Sequence, residues 1–211
     1  MKMRFAIMTT IAVVGATFVA GCSGSPTPAP DLGATRPSPP ATGKPLPYAG
    51  APKVGHPLPE SVLSAHPCDS ALTAEQVSGI LAQTPQGEHD DIDALGAQCH
   101  WTNIDAGAIV TVLYGTKTSD GLSAVYANTK PRSTMWQPLP PVHGLPAVAH
   151  STYSAEGSKS FCQVSVGVTD RRTVDVSITL GQAKVGRTAP CAVDAQITGM
   201  VVANLKQKAG A

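Results

Sequence analysis

Charge is scarce in this chain. Asp, Glu, Lys and Arg make up 14% of 211 residues, and 15 basic side chains nearly cancel 14 acidic ones. A protein that grips nucleic-acid phosphates needs a basic field, so nucleic acid is excluded as a partner. Long apolar runs are equally scarce: Phe5 to Val19 is the one uncharged stretch of that kind, which excludes a protein with several membrane spans. Signatures of catalysis and metal binding are missing as well. The six histidines form neither His-x-x-x-His nor His-Glu-x-x-His, no Cys-x-x-Cys pair exists, and Gly-x-Ser-x-Gly and the glycine-rich phosphate loops do not occur. These absences point away from an enzyme and imply no metal and no cofactor. What is present is a 42% apolar fraction, enough to exclude a wholly disordered chain.

The amino terminus has its own grammar. Lys2 and Arg4 precede the apolar run, and Val19-Ala20-Gly21-Cys22 closes it. A basic start, an apolar stretch of about 15 residues and small residues at the end form a secretory signal, predicted over 1–21. Its last four residues resemble the bacterial lipobox. That resemblance implies that the Cys22 sulfur receives a diacylglycerol, with palmitate among the acyl chains, and becomes the first mature residue. One acyl chain holds a protein to a bilayer only marginally and two hold it stably. Removal of 1–21 leaves 13 basic against 14 acidic residues, so lipid rather than charge holds the protein at the membrane. The expected location is the extracytoplasmic face of the cell membrane, lipid-anchored.

Residues 22–66 read as a lipidated Cys followed by a disordered linker. Twelve of the 19 prolines lie between Pro26 and Pro67. Proline fixes φ and lacks an amide donor, so helix and ladder are both disfavoured. Such a segment would reach roughly 40 Å as coil and at most about 135 Å as polyproline II. Ser25, Thr27, Thr35, Ser38 and Thr42 beside prolines have the look of O-glycosylation sites, with an unmodified spacer as the alternative.

Four cysteines remain for the domain: Cys68, Cys99, Cys162 and Cys191. An even number in an exported domain reads as two disulfides, and four cysteines allow three pairings. Pro67-Cys68 and Pro190-Cys191 each precede a helix, while Cys99 and Cys162 fall in strands. A helix start beside a strand of the sheet it covers suits the short Cα distance of a bridge. The expectation is therefore Cys68–Cys99 and Cys162–Cys191.

Hydrophobic periodicity then outlines a domain over 67–208. Leu72-Thr73-Ala74-Glu75-Gln76-Val77 is a helix start with a capping box. Gln98–Thr102 and Ala108–Thr116 alternate as strands, with Cys99 and Trp101 inward. Ser119 is the expected cap of a short helix bearing Leu122, Val125 and Tyr126. Residues 131–146 read as irregular. Ala147–Tyr153, Phe161–Thr169 and Thr173–Leu180 read as strands, the last two joined by a hairpin at Asp170-Arg171-Arg172. Val193, Ile197, Val201 and Leu205 mark a final helix, with Asp194 expected in its first turn. The predicted fold is α+β: an antiparallel sheet of about five strands covered by helices, in the order α-β-β-α-β-β-β-α.

Pro67-Cys68, Leu72 to Val77, Cys99-His100-Trp101, Gly144-Leu145-Pro146-Ala147, Cys162-Gln163-Val164 and Pro190-Cys191 occur in that order. With the lipobox, this set resembles a family of small actinobacterial cell-envelope lipoproteins that share a disulfide-bonded domain of unknown function. The resemblance implies an exported, membrane-tethered domain and supplies no activity.

Few residues stand out as a site. Glu88-His89-Asp90-Asp91-Ile92-Asp93 is rich in acid but lacks the spacing of a calcium loop, and reads as a solvated loop. Met135, Trp136, Leu139 and Leu145, in a Pro-stiffened stretch, form the candidate binding surface, with packing over a core edge as the alternative. The functional expectation is a non-catalytic binding domain for an envelope protein, a cell-wall component or a small apolar ligand. Two alternatives stay open: an envelope hydrolase with a site assembled from distant residues such as His100, Asp93 and His143, and a lipid or glycolipid carrier with an internal cavity.

Overall fold

The computed structural model describes residues 44–210. The expected signal segment, Cys22, the glycosylation candidates and the linker up to residue 43 lie outside the described residues. Among those described, the fold is α+β, with four helices and one antiparallel sheet of seven strands.

Local sequence accounts for most element boundaries. Pro67 opens α1 (Pro67–Ser70) at a position where its missing amide is harmless, and the His66 ring caps it by accepting the Cys68 amide. Thr73 and Gln76 form the reciprocal capping box that starts α2 (Ala74–Leu81). Strands β1 (Glu88–His89), β2 (Gln98–Asn103) and β3 (Ala108–Gly115) follow as a meander. Next comes α3 (Gly121–Ala124), prolonged by a π turn over Val125–Thr129 and a 3-10 turn over Lys130–Arg132. A second meander comprises β4 (Met135–Val142), β5 (Leu145–Ser151), β6 (Phe161–Gly167) and β7 (Thr173–Thr179). The two meanders join edge to edge through β3 and β7, giving the order β1-β2-β3-β7-β6-β5-β4. The chain ends in α4 (Pro190–Ala209).

Alternation along the central strands sends Val110, Val112, Val164, Val166, Val174 and Val176 to one face, all essentially inaccessible to solvent. α4 lies over them with Ile197, Val201, Val202 and Leu205. Each such side chain contributes about 1.5–3 kcal/mol on burial. Cys68 is bonded to Cys99 and Cys162 to Cys191, each with a Cα separation of 5.1 Å. These are the pairs expected from their helix-start and strand contexts. Each bridge fastens a helix start to the face that α4 covers.

Four expectations are corrected. The sheet has seven strands rather than about five, because β1 and β4 are added. β4 carries Pro138, Pro140 and Pro141 and so reads as irregular, yet it is an edge strand, where a missing amide leaves no ladder bond unmade. Its register shifts between Leu139 and Val142, where two of those prolines sit.

The folded unit also begins well before residue 67. Ala51, Val54, Leu58, Val62 and Leu63 are buried. The Val54 amide donates to Asp170 Oδ1 at 2.8 Å and the Leu58 amide to the Val168 carbonyl at 3.1 Å. Proline here sets an extended path, and the apolar residues between the prolines find the sheet. The other two corrections are small. The residue before α3 is Asp120, with no side-chain cap, rather than Ser119. Asp194 lies beyond the first turn of α4, and it is fully buried. No helix among the described residues is long and apolar enough to cross a membrane.

Candidate functional site

The second face of the sheet has a different chemistry. Register aligns Leu113, Asp175, Ser165 and Val148 in one row across β3, β7, β6 and β5. The adjacent row runs His100, Thr111, Ser177, Gln163 and His150. These are the odd-phase partners of the valines beneath α4, so the same period of two that builds the core lines up polar groups opposite it. α3 and its π turn lie over part of this face. Leu122 and Tyr126 pack there with Ala51 and Val148 in a second, smaller apolar cluster that also takes in Val125 and Trp136.

Between that cover and the strands lies an open groove of about 700 Å³. Its floor includes His150, Gln163, Ser165, Thr173 and Asp175, and its sides include Val125, Leu113 and Phe161. Arg132 and Tyr153 stand on the exposed side of the groove, with Tyr153 edge-on to Phe161 at 4.5 Å between centroids.

The floor is a connected hydrogen-bond network. Ser165 Oγ donates to Asp175 Oδ1, and Thr173 Oγ1 donates to Asp175 Oδ2 at 2.8 Å. His150 Nε2 lies 3.0 Å from Ser165 Oγ. Since the Ser165 proton is directed to Asp175, the imidazole Nε2–H donates to the serine oxygen. Burial pushes His150 down to about 4, so the ring is neutral at pH 7 and suits that role. Burial also raises Asp175 above the usual carboxylate range, an effect that bonds from Ser165, Thr173 and Gln163 oppose.

Asp, Ser and His together suggest a serine hydrolase, but their order does not fit one. In a catalytic triad the imidazole stands between acid and nucleophile and removes the hydroxyl proton. Here the hydroxyl stands in the middle, giving its proton to the acid and accepting one from the imidazole. Ser165 is also fully buried. The arrangement fixes dipoles in place and leaves no oxygen free to attack.

The sequence-derived candidates are distributed elsewhere. His100 Nε2 lies 3.5 Å from Glu88 Oε2, Asp93 is exposed between β1 and β2, and His143 occupies the β4–β5 turn at the other edge of the sheet. They do not share a cleft. Nor do Met135, Trp136, Leu139 and Leu145 make one surface. Met135, Leu139 and the buried Leu145 pack with the core under α4. Trp136 points to the opposite face, edge-on to Tyr126 at 4.9 Å and stacked on His150 at 5.7 Å. Alternation along β4 separates them. The groove residues themselves went unnamed as a site, although Asp175, Ser177 and Thr179 show in the sequence as the polar phase of an alternating strand. An acid in the interior of a central strand was the available signal.

Residues 17–204 match the model of a family described as a protein of unknown function, DUF3558, and the chain belongs to that family. No curated protein and no solved structure matches it.

Proposed function

We propose that this protein is a lipid-anchored extracytoplasmic binding protein whose ligand lodges in the groove beneath α3 without being chemically altered. The observation that carries the binding half is the locked network of His150, Ser165 and Asp175 on the groove floor. Polar groups held in fixed directions between apolar walls are how small-molecule sites obtain orientation and specificity. The less buried polar residues beside that network, such as Gln163 and Thr152, suit a ligand with hydroxyl or amide groups better than a bare acyl chain, which would leave them without partners. The anchoring half is supported by the lipobox-like ending at Cys22 and by two disulfides, which persist in oxidising compartments.

Two experiments test these halves separately. Cys22→Ser is expected to move the protein from the membrane to the soluble fraction and to remove the mass of the lipid. Unchanged fractionation and mass would end the anchoring reading. For binding, the Cys22→Ser chain is titrated with soluble wall glycan fragments while amide NMR shifts are followed. Shifts confined to the groove and abolished by Ala124→Trp, which fills it, are expected. Turnover of chromogenic esters that Ser165→Ala abolishes would replace this reading with the hydrolase.

A further inference from the structure

We propose that the groove beneath α3 selects an acidic sugar, whose carboxylate or phosphate pairs with Arg132 while the sugar ring packs against Tyr153. This selectivity rests on the binding reading above and belongs to the same groove.

Charge is distributed unevenly around the groove. With His150 neutral at pH 7, Arg132 and Asp175 are the charged residue types in the lining. Asp175 is buried on the floor, and its two oxygens accept hydrogen bonds from Ser165 and Thr173. Arg132 is exposed and makes no ion pair among the described residues. A solute entering the groove therefore meets one cation and no accessible anion. The guanidinium is also held in place. Its Nε–H donates to the Asn128 carbonyl at 2.8 Å, four residues back along the helical cover. That bond uses the inner nitrogen. The two terminal nitrogens remain, and their N–H groups form a planar fork that matches two oxygens of a carboxylate or phosphate. Lys130 lies outside the lining, with its ammonium over the rings of Tyr126 and Trp136 at 5.5 and 5.7 Å.

The rest of the lining suits a ring bearing hydroxyl and amide groups. Tyr153 is 53% exposed and is braced by Phe161, which it meets edge-on at 82°. A phenol ring held in this way presents a flat apolar face and a polar tip. A pyranose has the same duality, with C–H groups on its faces and hydroxyls around its rim. Asn128 and Thr152 line the same groove, and both are exposed, so their side chains are open to those hydroxyls. A fatty acid would pair with Arg132 but leave these groups and Gln163 without partners. The volume of about 700 Å³ is that of a small-molecule site, which a short saccharide fits.

The test titrates the Cys22→Ser chain with three probes, N-acetylglucosamine, N-acetylmuramic acid and N-acetylglucosamine 6-phosphate, and reads dissociation constants from the amide NMR signals of groove residues. The acidic sugars are expected to bind about tenfold more tightly than the neutral one, the worth of one charge-assisted contact. Arg132→Gln is expected to remove that margin and leave N-acetylglucosamine unchanged, and Arg132→Lys to keep only part of it, because the charge stays and the fork is lost. Arg187→Gln, exposed and outside the lining, is expected to change nothing. Tyr153→Ala is expected to weaken all three sugars several-fold. A margin for only one of the two acids supports the proposal and identifies the group that Arg132 holds. Equal affinities for acidic and neutral sugars, a margin that survives Arg132→Gln, or sugars indifferent to Tyr153→Ala would overturn it and leave the groove a binding site. Groove signals unmoved by all three probes would overturn it as well, and the reading above would then stand or fall on its own titration with wall glycan fragments.

Discussion

The two faces of the sheet are closed by different means. On one, valines from three central strands meet α4, and both disulfides fasten helix starts to that same face. On the other, a single helical turn and a π turn rest on a polar floor, held by Leu122, Val125 and Tyr126 and joined to it by no disulfide. A helix of four residues has little stability of its own, so the α3 cover depends on those contacts and on hydrogen bonds from the Tyr48 amide to Ser123 Oγ and from the Gly121 amide to the Arg171 carbonyl. The strands are shared, and only the phase of their alternation differs. The apolar phase stabilises the domain; the polar phase holds oriented groups at the groove.

The largest expected effect comes from removing what one face has and the other lacks. Replacing Cys68, Cys99, Cys162 and Cys191 together by Ser forgoes two bridges that close loops spanning 31 and 29 residues. The chain-entropy model assigns about 3.6 kcal/mol to each. Their sum is comparable with the whole stability of many domains, about 5–15 kcal/mol. The quadruple variant is therefore expected to lose its cooperative urea transition, read by circular dichroism. A smaller effect on the same face is Leu205→Ala in α4, where the side chain is fully buried. It is expected to lower the unfolding free energy by about 2–5 kcal/mol, while Leu113→Ala, beside the groove, falls at or below the low end because solvent can fill the space. Equal losses at the two positions would erase the distinction between the faces.

That distinction was half readable in the sequence. Val174, Val176 and Ile178 alternate with Asp175, Ser177 and Thr179, so an apolar and a polar phase are evident in β7 from the residues alone. The capping box at Thr73 and Gln76, the helix starts at Pro67 and Pro190 and the inward Trp101 follow local rules and were accessible for that reason. Which strand lies beside which was not. The contact of His150 with Ser165, or of His66 with His89, depends on ladder register and a disulfide across tens of residues, and no local pattern encodes it. β4 was hidden because its prolines are admissible only at an edge, and edge position is a property of the whole sheet. The buried stretch from Ala51 to Leu63 was masked by composition, since proline there signals extension and says nothing about burial.

Acid should act on the groove face through His150. Its folded-state value near 4 lies below the ordinary 6.5, so the unfolded chain binds the proton more readily. The stabilisation from keeping this ring neutral is complete above pH 6.5 and is lost as pH falls from there through 4. The loss is on the order of a few kcal/mol. Asp175, raised by burial, works in the opposite sense as pH falls, so the single-residue effect is read as a difference. His150→Gln is expected to flatten the urea midpoint between pH 6.5 and 4 relative to the parent. Parallel pH profiles for the two proteins would show that His150 does not carry the acid response.

The closed face has one flaw of its own, and correcting it gives the smallest expected effect. Asp194 of α4 is fully buried, and neither carboxylate oxygen has a hydrogen-bond partner of good geometry. Thr198, one turn later, is buried with its hydroxyl likewise unpaired. Burial pushes Asp194 well above the usual carboxylate range, an effect that the nearby Val164 amide only partly offsets. The unfolded chain releases this proton near pH 3.9, while the folded chain retains it to higher pH. Each step upward from that point therefore favours the unfolded state until the folded carboxyl ionises as well. Asp194→Asn keeps the shape and removes the ionisation, so it is expected to raise the unfolding free energy measured in urea at pH 7.5 by no more than about 2 kcal/mol, the usual reach of one stabilising substitution. The gain should vanish near pH 3, where the native carboxyl is protonated in both states. A variant equally or less stable than the parent at pH 7.5 would mean that Asp194 is compensated in solution, and the apolar face would then be as complete as its valines suggest.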